Sequence, residues 1–265
     1  MNKILTKLIQ KYLSLAKVPI SKTEFPIRGE LYSIERLEEY AIYLAEQLKD
    51  SNKSKVTKLL LPRMRDNQEK LLTSYRALIL GINNKDTISP AGIWLTDNFH
   101  IVEDQLREIV QDLPPSYYKE LPKIAVGELA GYPRIYAIAL ALVAHTDSQL
   151  EPEVIRRFIQ TYQKVYPLGI GELWALPITL RLVLVENLRR TAIRIVMDHE
   201  KTEIANQIAD QLFEVSGDKA KFQALVLKIS EPCNSIIEDD CAYFAQIAKR
   251  LRDQGVRHIK RYFKG

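Results

Sequence analysis

Apolar side chains recur at helical spacing along nearly the whole chain, and this period constrains the fold more than any motif does. Leu95, Phe99, Val102, Leu106 and Ile109 stand 4, 3, 4 and 3 residues apart, which lines one side of an α-helix and predicts a buried stripe. Near the start, Ile4, Leu5, Leu8, Ile9, Tyr12 and Leu13 repeat the pattern, with Lys3, Lys7 and Lys11 on the opposite edge. No segment alternates apolar and polar residues long enough to form a strand. The expectation is an all-α domain of about nine to eleven helices, globular or arranged as a helical array.

Proline, glycine and capping residues divide this pattern. Pro19 to Pro26 read as an extended linker, and Ser33 as the N-cap of a helix reaching about Leu48. A polar loop follows at 50–55, and the next helix is expected after Pro62, ending near Gly81. Ser89 and Pro90 form a cap with proline at the first helical position, opening one helix that Pro114 and Pro115 stop. A loop with Pro122, Gly127, Gly131 and Pro133 leads into an apolar helix over 135–144, ended by the turn 145–148. Pro152 starts another helix that closes before Pro167. A long run from Glu172 to about His199 follows, with a kink expected at Pro177. Segments 201–215, 219–229 and 236–254 complete the chain. Three parts are predicted: a basic amphipathic arm at 1–28, a helical domain at 29–200, and a C-terminal helical extension at 201–265 packed on it.

Charge separates the arm from the rest. Lys and Arg total 38 against 33 Asp and Glu, a formal net charge of +5. Residues 1–29 hold Lys3, Lys7, Lys11, Lys17, Lys22 and Arg28 against Glu24 alone, so the whole excess lies there. A nucleic-acid partner is therefore not expected, because its footprint would be a basic face on the folded part. A basic helix over 1–17 suits peripheral contact with an anionic membrane, and equally docking on the protein itself or on a partner helix. The longest apolar stretch, 135–144, is well short of the roughly 20 residues that span a bilayer. Cys233 and Cys241 match no metal-ligand spacing and read as free thiols of a reducing compartment. The chain is expected to be cytoplasmic, with any membrane contact made at the inner face of the inner membrane through residues 1–17.

Nucleotide-binding glycine loops, nucleophile elbows and zinc-protease motifs are absent. No metal or cofactor is expected, although His100, His145 and Asp147 are the residues that could approach a metal through the fold. What stands out is polar and aromatic residues set among apolar helices. Trp94, Asp97, Asn98, His100, Glu103 and Arg107 share one predicted helix, with His100, Glu103 and Arg107 spaced to pair. Tyr132, Arg134, His145 and Asp147 flank the next long one, and Glu172, Trp174, Glu186, Asn187 and Arg189 lie on the long run. Carbohydrate sites use this chemistry, with aromatic faces against sugar rings and charged or amide groups on hydroxyls. Buried ion pairs that tie helices together use the same residue types.

Several ordered motifs carry a resemblance. They include Pro90-Ala-Gly-Ile-Trp-Leu-Thr-Asp-Asn-Phe-His100, Leu129-Ala-Gly-Tyr-Pro-Arg-Ile-Tyr136, Val143-Ala-His-Thr-Asp-Ser148, Ile170-Gly-Glu-Leu-Trp-Ala175 and Leu184-Val-Glu-Asn-Leu-Arg-Arg190. From about Gly29 to Arg190 the chain resembles the N-terminal helical region of the bacterial cyclic β-1,2-glucan synthases. The resemblance implies part of a large multi-domain inner-membrane enzyme that builds a β-1,2-linked glucan from UDP-glucose. The chain departs from that enzyme in lacking its membrane helices, its glycosyltransferase acidic motif and its phosphorylase-like domain, so no catalytic residue carries over. The expected role is a non-catalytic module that supports synthesis by scaffolding or by holding glucan, with β-1,2-glucan or the rest of a synthase as partner. The alternative is a free-standing, non-enzymatic interaction protein. An independent sugar-active enzyme would need a carboxylate pair such as Glu103 and Glu172 to face one pocket.

Overall fold

The computed structural model describes Lys7 and residues 26–48, 57–58, 60–112, 115–230 and 240–254. The basic arm at 1–17 (Lys7 apart), the linker up to residue 25, the loop at 50–55 and Cys233 lie outside the described residues. Ten helices and no strand are found among the described residues, so the all-α expectation holds. In chain order they are α1 (Ile34–Gln47), α2 (Leu60–Asn83), α3 (Pro90–Asp97), α4 (Phe99–Asp112), α5 (Pro115–Glu120), α6 (Arg134–His145), α7 (Pro152–Val165), α8 (Ile170–Glu214), α9 (Lys219–Ser230) and α10 (Asp240–Asp253).

Side-chain caps set the starts of α1 and α3. The Ser33 hydroxyl accepts from the Arg36 amide at 3.3 Å, satisfying one of the donors a helix start leaves open. The Ser89 hydroxyl serves the Gly92 amide at 3.2 Å, with Pro90 at the first position of α3. Three boundaries differ from expectation, and α5 is a short helix that the spacing does not predict. α2 begins two residues before Pro62, which a first turn tolerates because its amides have no intrahelical partner. The helix expected from Pro90 to Pro114 is broken at Asn98. There the Asn98 side-chain amide donates to the Trp94 carbonyl at 2.8 Å, and Ile101 N donates to Asn98 O in a tighter turn. The two helices expected on either side of His199 are one continuous helix, α8, with Pro177 inside it. No glycine or proline interrupts 198–214, so nothing there stops propagation.

Two compact units are present. One draws on residues 24–79 and 93–193. At its centre lies α6, apolar on all sides, with Ile135, Tyr136, Ile138, Ala139, Leu142 and Val143 buried. A helix without a polar face must be enclosed by others. The stripe predicted from spacing, Leu95 through Ile109, is buried at every position. α1 packs on α7, where Arg157 donates to Glu38 at 2.8 Å. The other unit contains Leu80–Gly92 and the described chain from Arg194 onward. Ile204, Ala205, Ile208, Ala209 and Leu212 form its buried stripe on α8. α10 is tied to the same helix by Gln246 to Asn206 at 2.9 Å and Arg250 to Asp210 at 3.1 Å.

Candidate functional site

The structure divides the predicted site residues into five separate groups. The first is a strap. Residues 27–32 cross the C-terminal end of α6 and the middle of α8: Gly29 N donates to Ala144 O at 2.9 Å and Tyr32 N to His145 O at 3.2 Å. Ile27 N donates to the Asn187 side-chain oxygen at 2.6 Å, and the Asn187 amide donates to Ser148 Oγ at 2.9 Å. The His145 ring stacks on Tyr32, with centroids 4.1 Å apart, and its Nδ1 lies 2.7 Å from Glu30 O. Arg28 pairs with Asp147 at 3.4 Å. His145, Asp147 and Asn187 thus come together, but to hold a segment of backbone.

Gly29 is required by this packing. A Cβ there would stand 2.7 Å from His145 Cε1, and the ring cannot retreat while Tyr32 and Glu30 hold it. Gly29→Ala is expected to lower stability by about 1–3 kcal/mol, the usual range for overpacking. Urea denaturation checks this; an unchanged midpoint would mean that the strap does not close on His145.

The second group is the pair Arg134 and Glu172, both 2% exposed. Arg134 Nε donates to Oε1 at 2.8 Å and Nη2 to Oε2 at 2.5 Å, a bidentate fork. Glu172 also accepts the Gly169 amide at 2.9 Å, as a third-position glutamate does when it reaches back to cap its own helix. Arg134 further donates to Pro167 O at 3.2 Å and lies 4.5 Å from the Tyr166 ring centroid. Burial pulls the guanidinium pKa down, but the hydrogen bond and charge of Glu172 outweigh it, so the net shift is upward.

The third group surrounds Glu186, whose side chain is fully buried. Arg63 holds it through two bonds, Nε to Oε2 at 2.8 Å and Nη2 to Oε1. Tyr136 OH donates to Oε2 at 2.8 Å and Arg190 Nη2 donates to Oε1. Burial pushes this carboxyl up, yet the Arg63 bonds and charge, then Arg190 and Tyr136, prevail and hold it at about 2. Burial beside Glu186 drives the Tyr136 hydroxyl pKa strongly upward. Tyr132 packs at the edge of the cluster, 5.2 Å from the Tyr136 ring. Arg189 is buried on the same helix. Sequence reasoning missed Arg63 and Tyr136. The available signal was Arg63, Asn67 and Ser74 recurring beside the apolar stripe Leu60, Met64, Leu71 and Leu78.

The fourth group stays exposed. On α3 and α4, Trp94 is 57% exposed, with Asp97, His100, Glu103 and Arg107 also facing solvent. Arg107 meets Asp104 at 3.3 Å, not the expected Glu103 or His100. At i,i+3 the shorter aspartate reaches the guanidinium equally well. The fifth is Trp174 alone, 79% exposed at the start of α8, with Ile170, Leu173 and Pro177 on the same face. Neither tryptophan joins an aromatic pair among the described residues. Glu103 and Glu172 do not form a carboxylate pair, because Glu172 is locked to Arg134 inside the protein.

Among the described residues no three His, Cys, Asp or Glu side chains converge on a metal position. No helix among them is long and apolar enough to cross a membrane.

This arrangement defines a helical module, fastened by buried arginine–glutamate ties, that presents tryptophans to solvent. No protein-family model matches the chain. It is similar to the cyclic beta-(1,2)-glucan synthase NdvB of Rhizobium meliloti (strain 1021), with 35% identity over 227 residues. That match covers 86% of this chain and 8% of the synthase, so the resemblance read from the motifs is to one limited region of a far longer protein.

Proposed function

We propose that this chain is a non-catalytic helical module of a glucan-synthase system, and that it holds β-1,2-glucan on the exposed surface of α3 and α4. The observation that carries this reading is the split among the predicted site residues. Arg134, Glu172 and Glu186 are consumed by ion pairs inside the protein, whereas Trp94 stands in solvent on α3, with Asp97 exposed three residues on. An exposed indole with a carboxylate one helical turn away offers a face for a sugar ring and an acceptor for its hydroxyls. Similarity to a part of a cyclic β-glucan synthase supports glucan as the carbohydrate.

A second role rests on Trp174. Its neighbours Ile170, Leu173 and Pro177 are apolar and exposed, a surface suited to docking the rest of a synthase.

Trp94→Ala is expected to weaken binding of linear β-1,2-gluco-oligosaccharides at least about tenfold, the scale of one lost stacking contact. Trp174→Ala is expected to leave that affinity unchanged. Calorimetric titration measures both, with circular dichroism to check folding. Equal affinity of wild type and Trp94→Ala would remove the glucan-holding role.

A further inference from the structure

The cluster around Glu186 meets solvent at Arg63, near a second cation. The Glu186 carboxylate already accepts from Arg63, Tyr136 and Arg190, which occupies its lone pairs. Arg63 uses Nε and Nη2 on it, leaving Nη1 without a hydrogen bond among the described residues, and its side chain is 31% exposed. Next to it the Lys58 amide donates to Gly131 O at 2.8 Å, which fixes that exposed residue beside Tyr132. Lys58 Nζ lies 5.1 Å and Arg63 Cζ 5.9 Å from the Tyr132 ring centroid. Two cations thus converge on one half-buried aromatic ring. Lys58 makes no ion pair among the described residues, and Glu128, exposed at the tip of the same loop, joins neither cation.

A second observation points the same way. One turn along the same side of α2 from Arg63, Asn67 is 2% exposed and its Nδ2 has no hydrogen-bond partner among the described residues. This side of α2 therefore carries open donors at Arg63 and at Asn67. An anion would pair the open Arg63 Nη1 with the Lys58 ammonium beside it.

We infer that Lys58, Arg63 and the ring of Tyr132 form a binding site for a phosphate-bearing ligand. Arg63 Nη1 and the Lys58 ammonium supply charge-assisted donors for phosphate oxygens. The tyrosine face accepts the organic group attached to the phosphate. The site is separate from the Trp94 surface and does not rest on the glucan reading. The phosphate can belong to a small solute or to a lipid headgroup.

The test uses the full chain, titrated calorimetrically with pyrophosphate at constant ionic strength and incubated separately with phosphatidylglycerol vesicles. Lys58→Glu and Lys58→Arg are the variants, since Lys58 is exposed and does not touch Glu186. Saturable pyrophosphate binding, weakened about tenfold or more by Lys58→Glu and kept by Lys58→Arg, is expected. Vesicle binding that Lys58→Glu abolishes and pyrophosphate competes away would assign the site to a lipid headgroup. Pyrophosphate binding without such vesicle binding would assign it to a soluble ligand. The basic arm is present in every variant, so only the Lys58-dependent difference counts. Binding unchanged by Lys58→Glu, or no saturation with either probe at millimolar concentration, would overturn the site.

Discussion

Glu186→Ala is expected to remove about 3–5 kcal/mol of stability, because it strips the anion from two arginines that are largely enclosed. The truncation also leaves the buried Tyr136 hydroxyl without its acceptor. Chemical denaturation followed by far-UV circular dichroism reads the effect. A loss under about 1 kcal/mol would mean that water already reaches the cluster and that it is a surface network. The same group predicts an acid limb. Its carboxyl sits at about 2 in the folded protein against an ordinary 4.5, so the unfolded chain takes up the proton first as pH falls. The stabilisation is complete above pH 4.5 and declines as pH drops toward 2, by about 3 kcal/mol in all. Glu186→Gln should flatten this part of the stability profile. An unaltered slope in that variant would place the acid sensitivity elsewhere.

Arg134→Ala should cost a comparable 3–5 kcal/mol, since Glu172 would remain buried with the Gly169 amide as its remaining partner. The double variant Arg134→Met, Glu172→Leu tests whether the pair itself stabilises or merely must not be broken. Well-packed apolar replacements of a buried ion pair are often neutral or better. The double variant should therefore recover most of the loss, short of the roughly 1 kcal/mol that the open Gly169 amide costs. A double variant as unstable as the single one would show that the Arg134 contacts to Pro167 and Tyr166 hold the helix starts together.

These two ion-pair systems show why residue type alone does not separate a binding group from a tie between helices. Glu172, Glu186, Arg134 and Arg189 suit a carbohydrate site and a buried ion pair equally by type, and the structure places them in the interior. A carboxylate gripping an arginine and a carboxylate awaiting a hydroxyl look alike in a sequence. The difference is burial, set by helices far apart in the chain: Arg63 meets Glu186 across 123 residues and Arg134 meets Glu172 across 38. Trp94 and Trp174 could equally have been core residues by type. Their exposure follows from which side of α3 and α8 the neighbouring helices cover.

The sequence alone specifies the helical class, most of the helices and the buried stripe from Leu95 to Ile109. Those follow from a 3.6-residue period and from local caps such as Ser33 and Ser89, which act within a few residues. It also carried the likeness to a part of a glucan synthase, because ordered motifs survive without any knowledge of packing. Tertiary packing, not local pattern, lays residues 27–32 across His145 and Asn187. It also sorted the polar residues, enclosing some as ties and leaving Trp94, Lys58 and Trp174 at the surface. The physical reason is that burial and ion pairing are properties of contacts between distant segments. A local pattern specifies what a residue is able to do, and the packing of the other helices determines which of those things it does.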